Sequence, residues 1–68
     1  MMVTDRDIWH AATVFLRQYG DDAPIQAAQR AIELFNRGDA ERAEVWKRIL
    51  KALEELTRTE RNKGEAVN

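Results

Sequence analysis

The chain offers three kinds of residue from which chemistry could be built: five aspartates (Asp5, Asp7, Asp21, Asp22 and Asp39), a single His10, and a basic cluster of Lys47, Arg48 and Lys51 that Arg58, Arg61 and Lys63 extend. Carboxylates can hold a hard cation, an imidazole can move a proton, and clustered cations can grip phosphate. The spacing points each group elsewhere. None of the aspartates stands in a ligand loop of the D-x-D-x-D-G kind; each sits where a helical stretch begins, and there a carboxylate oxygen caps free backbone N–H groups. His10 falls between Arg6 and Arg17 on the polar side of its segment, with no nucleophile or carboxylate at triad-like spacing, which makes it a surface histidine. Glu44, Glu54, Glu55, Glu60 and Glu65 interleave with the cations, so Lys47, Arg48 and Lys51 form a basic patch within a solvated, mixed-charge face. No nucleophile, base and orienting group come together, so the expectation is a protein that is not an enzyme and has no metal or cofactor.

Cysteine is absent, which excludes disulfide staples and thiolate metal sites. A chain of 68 residues makes one domain at most, and at this size only ~60% of the unfolded surface is buried on folding. Stability must then come from efficient helix packing or from self-association. Charged residues make up 34% of the chain, yet the formal net charge is −1, so no overall field draws it to nucleic acid or anionic lipid. The first residues lack a basic stretch followed by an apolar run, and no apolar stretch approaches a membrane span. A soluble, cytoplasmic protein with no membrane partner is expected.

The elements that must position these residues are helices, marked by their own start and stop signals. Thr4 followed by Asp7 reads as a capping box, and Ile8, Ala12, Phe15, Leu16 and Tyr19 recur at helical spacing until Gly20. Asp21 or Asp22 begins a second helix, with Pro24 in the one turn that tolerates it. Its stripe of Ile25, Ala28, Ala31, Ile32 and Phe35 is widened by Ala27 and Leu34. Gly38-Asp39 separates it from a third helix, whose apolar half carries Ala43, Val45, Trp46, Ile49, Leu50, Ala52, Leu53 and Leu56. The sequence thus predicts an all-α fold, a small three-helix up-down bundle over residues 1–57 with helices at about 5–19, 23–37 and 40–57. Periodicity stops after Leu56, so residues 58–68 are expected to be a flexible, disordered tail.

Short turns make neighbouring helices antiparallel, which is expected to set Trp9, Phe35 and Trp46 at one end and Phe15, Tyr19, Ile25 and Leu53 at the other. The apolar half of the third helix exceeds what two neighbours cover, so Val45, Ala52 and Leu56, with Ala27 and Leu34, are the candidate interface for a protein partner or a second copy. A small nucleic-acid-associated regulator using Lys47, Arg48 and Lys51 is the alternative; the interleaved acids and the lack of a base-reading Asn or Gln weigh against it.

Gly38-Asp39-Ala40-Glu41-Arg42-Ala43 is similar to the turn inside a tetratricopeptide helix pair, although Lys47 stands where that motif prefers a large apolar residue, so it reads as a generic helical hairpin. Asp7-Ile8-Trp9, Tyr19-Gly20-Asp21-Asp22-Ala23, Gly38-Asp39 and Val45-Trp46-Lys47-Arg48-Ile49-Leu50 together resemble a group of short, uncharacterised bacterial proteins with a Tyr-Gly-Asp-Asp-Ala turn and two tryptophans. That resemblance implies no activity and no catalytic residues. The functional expectation is a small non-catalytic protein-interaction or regulatory module, with a homodimer through helices 2 and 3 as one form.

Overall fold

The computed structural model of the chain describes the backbone of residues 3–65 and the side chains of residues 3–59. Its elements are α1 (Asp5–Tyr19), a 3-10 turn (Gly20–Asp22), α2 (Ala23–Asn36) and α3 (Ala40–Glu65), with no strand among the described residues. The fold is all-α. Helical backbone runs unbroken from 5 to 36 and again from 40 to 65, giving two continuous stretches, the first folded at the 3-10 turn. Among the described residues no helix is long and apolar enough to cross a membrane.

The first cap forms as its residues require. Asp7 N–H donates to Thr4 Oγ1 at 3.2 Å, and Thr4 N–H donates to Asp7 Oδ2 at 3.3 Å, so two free donors at the start of α1 are satisfied reciprocally. Arg42 N–H donates to Asp39 Oδ1 at 3.2 Å at the start of α3. Asp22 departs from expectation and makes no side-chain cap bond, because its backbone is already helical (φ −83°, ψ −7°) whereas a capping residue is extended. After α2, Gly38 takes φ 84°, its N–H reaches Phe35 O at 3.0 Å and Asp39 N–H reaches Leu34 O at 2.9 Å. This pair of bonds closes the helix end only if residue 38 is left-handed, a conformation glycine adopts at little cost.

α3 continues eight residues past the expected end at 57, so positions 58–65 are helical where a structureless tail is expected. Loss of the apolar stripe removes packing, but Arg58, Glu60, Arg61 and Lys63 are good helix formers and no proline intervenes. Thr59 Oγ1 donates back to Glu55 O at 2.9 Å and Thr57 Oγ1 to Glu54 O at 3.1 Å, which keeps both hydroxyls within the helix. Residues 66–68 of the expected tail, and residues 1 and 2, lie outside the described residues.

The core is narrow and built largely from alanine. Ile8, Ala12 and Phe15 of α1, Ala23 and Ala27 of α2, and Ile49, Ala52 and Leu53 of α3 form one buried cluster, in which Leu53 is the large side chain that is fully enclosed. The alanines let the helix backbones approach closely. Around the cluster pack the half-buried Leu16, Tyr19, Val45, Trp46, Leu50 and Leu56.

The expected distribution of aromatic residues is corrected by this packing. Trp46 meets Phe15 edge-on, with centroids 5.2 Å apart, and Phe15 in turn meets Tyr19 at 4.5 Å; Trp9 is 41% exposed and Phe35 70% exposed. Ile8 and Trp9 border Arg48, Lys51 and Ala52, whereas Phe15, further along α1, touches Trp46. Contacts along α1 therefore do not advance toward the end of α3 as a parallel neighbour would require. α2 and α3 remain an antiparallel hairpin.

Candidate functional site

α2 turns its alanines inward and its large residues outward. Ala23, Ala27 and Ala31 are buried, while Ile25, Ile32 and Phe35 are 57%, 60% and 70% exposed. On a 3.6-residue wheel the buried arc is displaced by roughly 100° from the centre of the apolar stripe. The reason is steric: the small side chains allow α2 to sit close against α3, and the bulkier arc is left over. Ile25, Ala28, Ile32 and Phe35 are spaced i, i+3, i+7 and i+10, so they form one continuous ridge.

Beside that ridge runs an open groove of about 440 Å³ between Ala28, Ala31, Ile32 and Phe35 of α2 and Ala43, Lys47 and Leu50 of α3. Lys47 is the charged residue of this lining, and it reaches Glu44 at 3.3 Å on the solvent side. The groove can accept apolar side chains, with a cation at its rim to meet a carboxylate. Its lining offers no hydroxyl, thiol, imidazole or carboxylate.

The expected interface residues do not gather on one surface. Ala27 and Ala52 are in the core, 0% and 5% exposed, and have nothing to offer a partner. Leu34, Val45 and Leu56 are half-buried: Leu34 lines a cleft with Arg30, Arg37 and Arg42, Val45 lines another with Val3 and Ala40, and Leu56 packs against the core. Ile25, Ile32 and Phe35 are the residues that sequence reasoning assigned elsewhere. The width of the α2 stripe was the available signal, because more than half of a helix's circumference cannot all face one neighbour.

The basic patch divides in the same way. Lys47 belongs to the α2–α3 groove, whereas Arg48 and Lys51 line a cleft on the other flank of α3 together with Asp5, Trp9 and Glu55. Two carboxylates thus stand among the cations of that cleft. His10 is exposed on α1.

A third cationic feature holds the fold together. The Arg30 guanidinium lies 5.5 Å from the Phe15 ring centroid and 5.3 Å from that of Trp46, and Arg30 Nη2 donates to Tyr19 Oη at 3.5 Å. One side chain of α2 therefore touches α1 and α3 together, through the attraction of a cation to aromatic faces. Arg37 and Arg42 share its cleft, but Glu33 lines it as well and Arg42 Nε is 3.6 Å from Asp39 Oδ2. Within the protein Arg30 is thus held by aromatic rings and Arg42 by a carboxylate.

Among the described residues no three His, Asp or Glu side chains converge to hold a metal ion. Protein-family models, curated protein sequences and solved structures contain no match to this chain. Its function has to be read from its own surface.

Proposed function

We propose that the chain is a small, non-catalytic, cytoplasmic interaction or regulatory module that binds protein through the apolar ridge and groove of α2 and α3, its three helical segments acting as one bundle. The observation that carries this reading is the exposure of Ile25, Ile32 and Phe35 in one row beside an apolar groove. Scattered exposed apolar residues are ordinary on a protein surface, but a contiguous row with an adjoining groove is the anatomy of a recognition face. Helix-in-groove binding uses anchors at this spacing. Nucleic acid is the less supported partner, because Lys47 stands apart from Arg48 and Lys51, and Asp5 and Glu55 flank the latter two.

The test is capture at high salt, which screens phosphate binding but leaves apolar contacts intact. Wild-type protein and a Lys51→Glu variant are expected to retain the same partner from extracts of the native host, and Ile32→Glu to lose it. Equal retention by all three proteins contradicts the reading. Loss on Lys51→Glu together with steep salt sensitivity supports the nucleic-acid alternative instead.

A further inference from the structure

We infer that the occupant of the α2–α3 face is a second copy of this chain, packed about a two-fold axis with each α2 antiparallel to its counterpart. The inference rests on the interaction reading above and adds the identity of the partner. Its first support is that the ridge is complementary to itself. Antiparallel pairing centred on residue 30 sets Ile25 of one copy against Phe35 of the other, and Ala28 against Ile32. The small residue receives the large one in the middle and the two bulky pairs close the ends, twice over, as an isologous interface requires.

The second support is charge. Lys47, Leu50 and Glu54 are spaced i, i+3 and i+7, so they share one face of α3. A two-fold near Leu50 sets Lys47 of each copy against Glu54 of the other, giving two opposite-charge pairs where a parallel arrangement opposes like charges. Arg30 lies against the Trp46 ring, and Trp46 precedes Leu50 by about one turn, ~5.4 Å along the axis, so a single axis serves both helices.

The third support is area. The three exposed apolar side chains present on the order of a few hundred Å². A stable dimer buries roughly 800 Å² per partner, which the ridge reaches only together with its flanks of Gln29, Asn36, Lys47, Leu50 and Glu54. Gln29 and Asn36, which border the ridge on its far side, are polar but uncharged, so closing the interface there strands no charge.

Mass in solution, measured by light scattering across a dilution series, tests the inference. The wild-type chain is expected to move from monomer to dimer as concentration rises, with Ile32→Glu and Phe35→Glu monomeric throughout. Both substituted residues are exposed, so circular dichroism should show unchanged helix content and separate lost association from lost folding. Lys47→Glu is expected to weaken the dimer several-fold, and Lys47→Glu combined with Glu54→Lys to restore it. A wild-type chain that stays monomeric, a dimer indifferent to Phe35→Glu, or a charge swap that fails to restore association overturns the assignment. If the wild type is monomeric while Ile32→Glu still abolishes capture of another protein, the second copy is refuted and the interaction module stands.

Discussion

Phe35→Ala separates the observed packing from the one its sequence suggests. A phenylalanine in a core loses about 3–5 kcal/mol on truncation, a large share of what a small domain holds. Here Phe35 is 70% exposed. Full burial of such a side chain contributes about 1.5–3 kcal/mol, so the remaining third contributes about 0.5–0.9 kcal/mol. Alanine recovers up to ~0.5 kcal/mol through its better helix propensity, less near a helix end. The net cost is therefore between about 0 and 1 kcal/mol, a midpoint shift of at most ~4–8 °C for a domain of 60–100 residues. Urea unfolding of dilute, monomeric protein followed by circular dichroism gives the number. Leu53→Ala is the control, because Leu53 is fully enclosed and is expected to lose about 2–5 kcal/mol. A Phe35→Ala loss as large as that of Leu53→Ala would refute the outward orientation of this face of α2.

Three further substitutions probe the local devices of the fold. Thr4→Ala removes one half of the capping box and is expected to cost about 0.5–2 kcal/mol, with amide exchange rising first in the opening turn of α1. Gly38→Ala meets no atom within 4 Å, so its cost is conformational alone; at φ 84° about 1–2 kcal/mol is expected from thermal unfolding. Arg30→Ala removes the cation shared by Phe15 and Trp46 and is expected to cost on the order of 1 kcal/mol, with a change in Trp46 fluorescence that Arg30→Lys reverses only in part.

Most of the helical layout was legible because it is local. Thr4 with Asp7, and Gly38 with Asp39, act within a few residues of themselves, so their types and spacing determine their geometry. The sequence offers Asp21 or Asp22 as the cap of the second helix, and neither bonds as one because a 3-10 turn delivers the chain into α2 already helical, a feature of the backbone path and not of the residue. The end of α3 was misplaced because periodicity reports burial, and a helix persists beyond its packing when its residues favour it. The aromatic arrangement was legible only in part: Phe15, Tyr19 and Leu53 do pack together, but the contacts of Trp46 with Phe15 and Arg30 join distant elements, which short turns do not determine. The candidate site was missed by a rotation. Periodicity drew the correct apolar arc on α2, while the choice of which part faces α3 depended on the three buried alanines.

Backbone amide chemical shifts, followed as the apolar probe anilinonaphthalene sulfonate is added to dilute protein, show whether the α2–α3 face is where this chain binds. Perturbations are expected to centre on Ala28, Ile32 and Phe35 of α2 and Ala43, Lys47 and Leu50 of α3, and to be abolished by Ile32→Glu. Perturbations centred instead on the cleft of Trp9, Arg48 and Lys51, or spread over the surface without a centre, would contradict binding at that face.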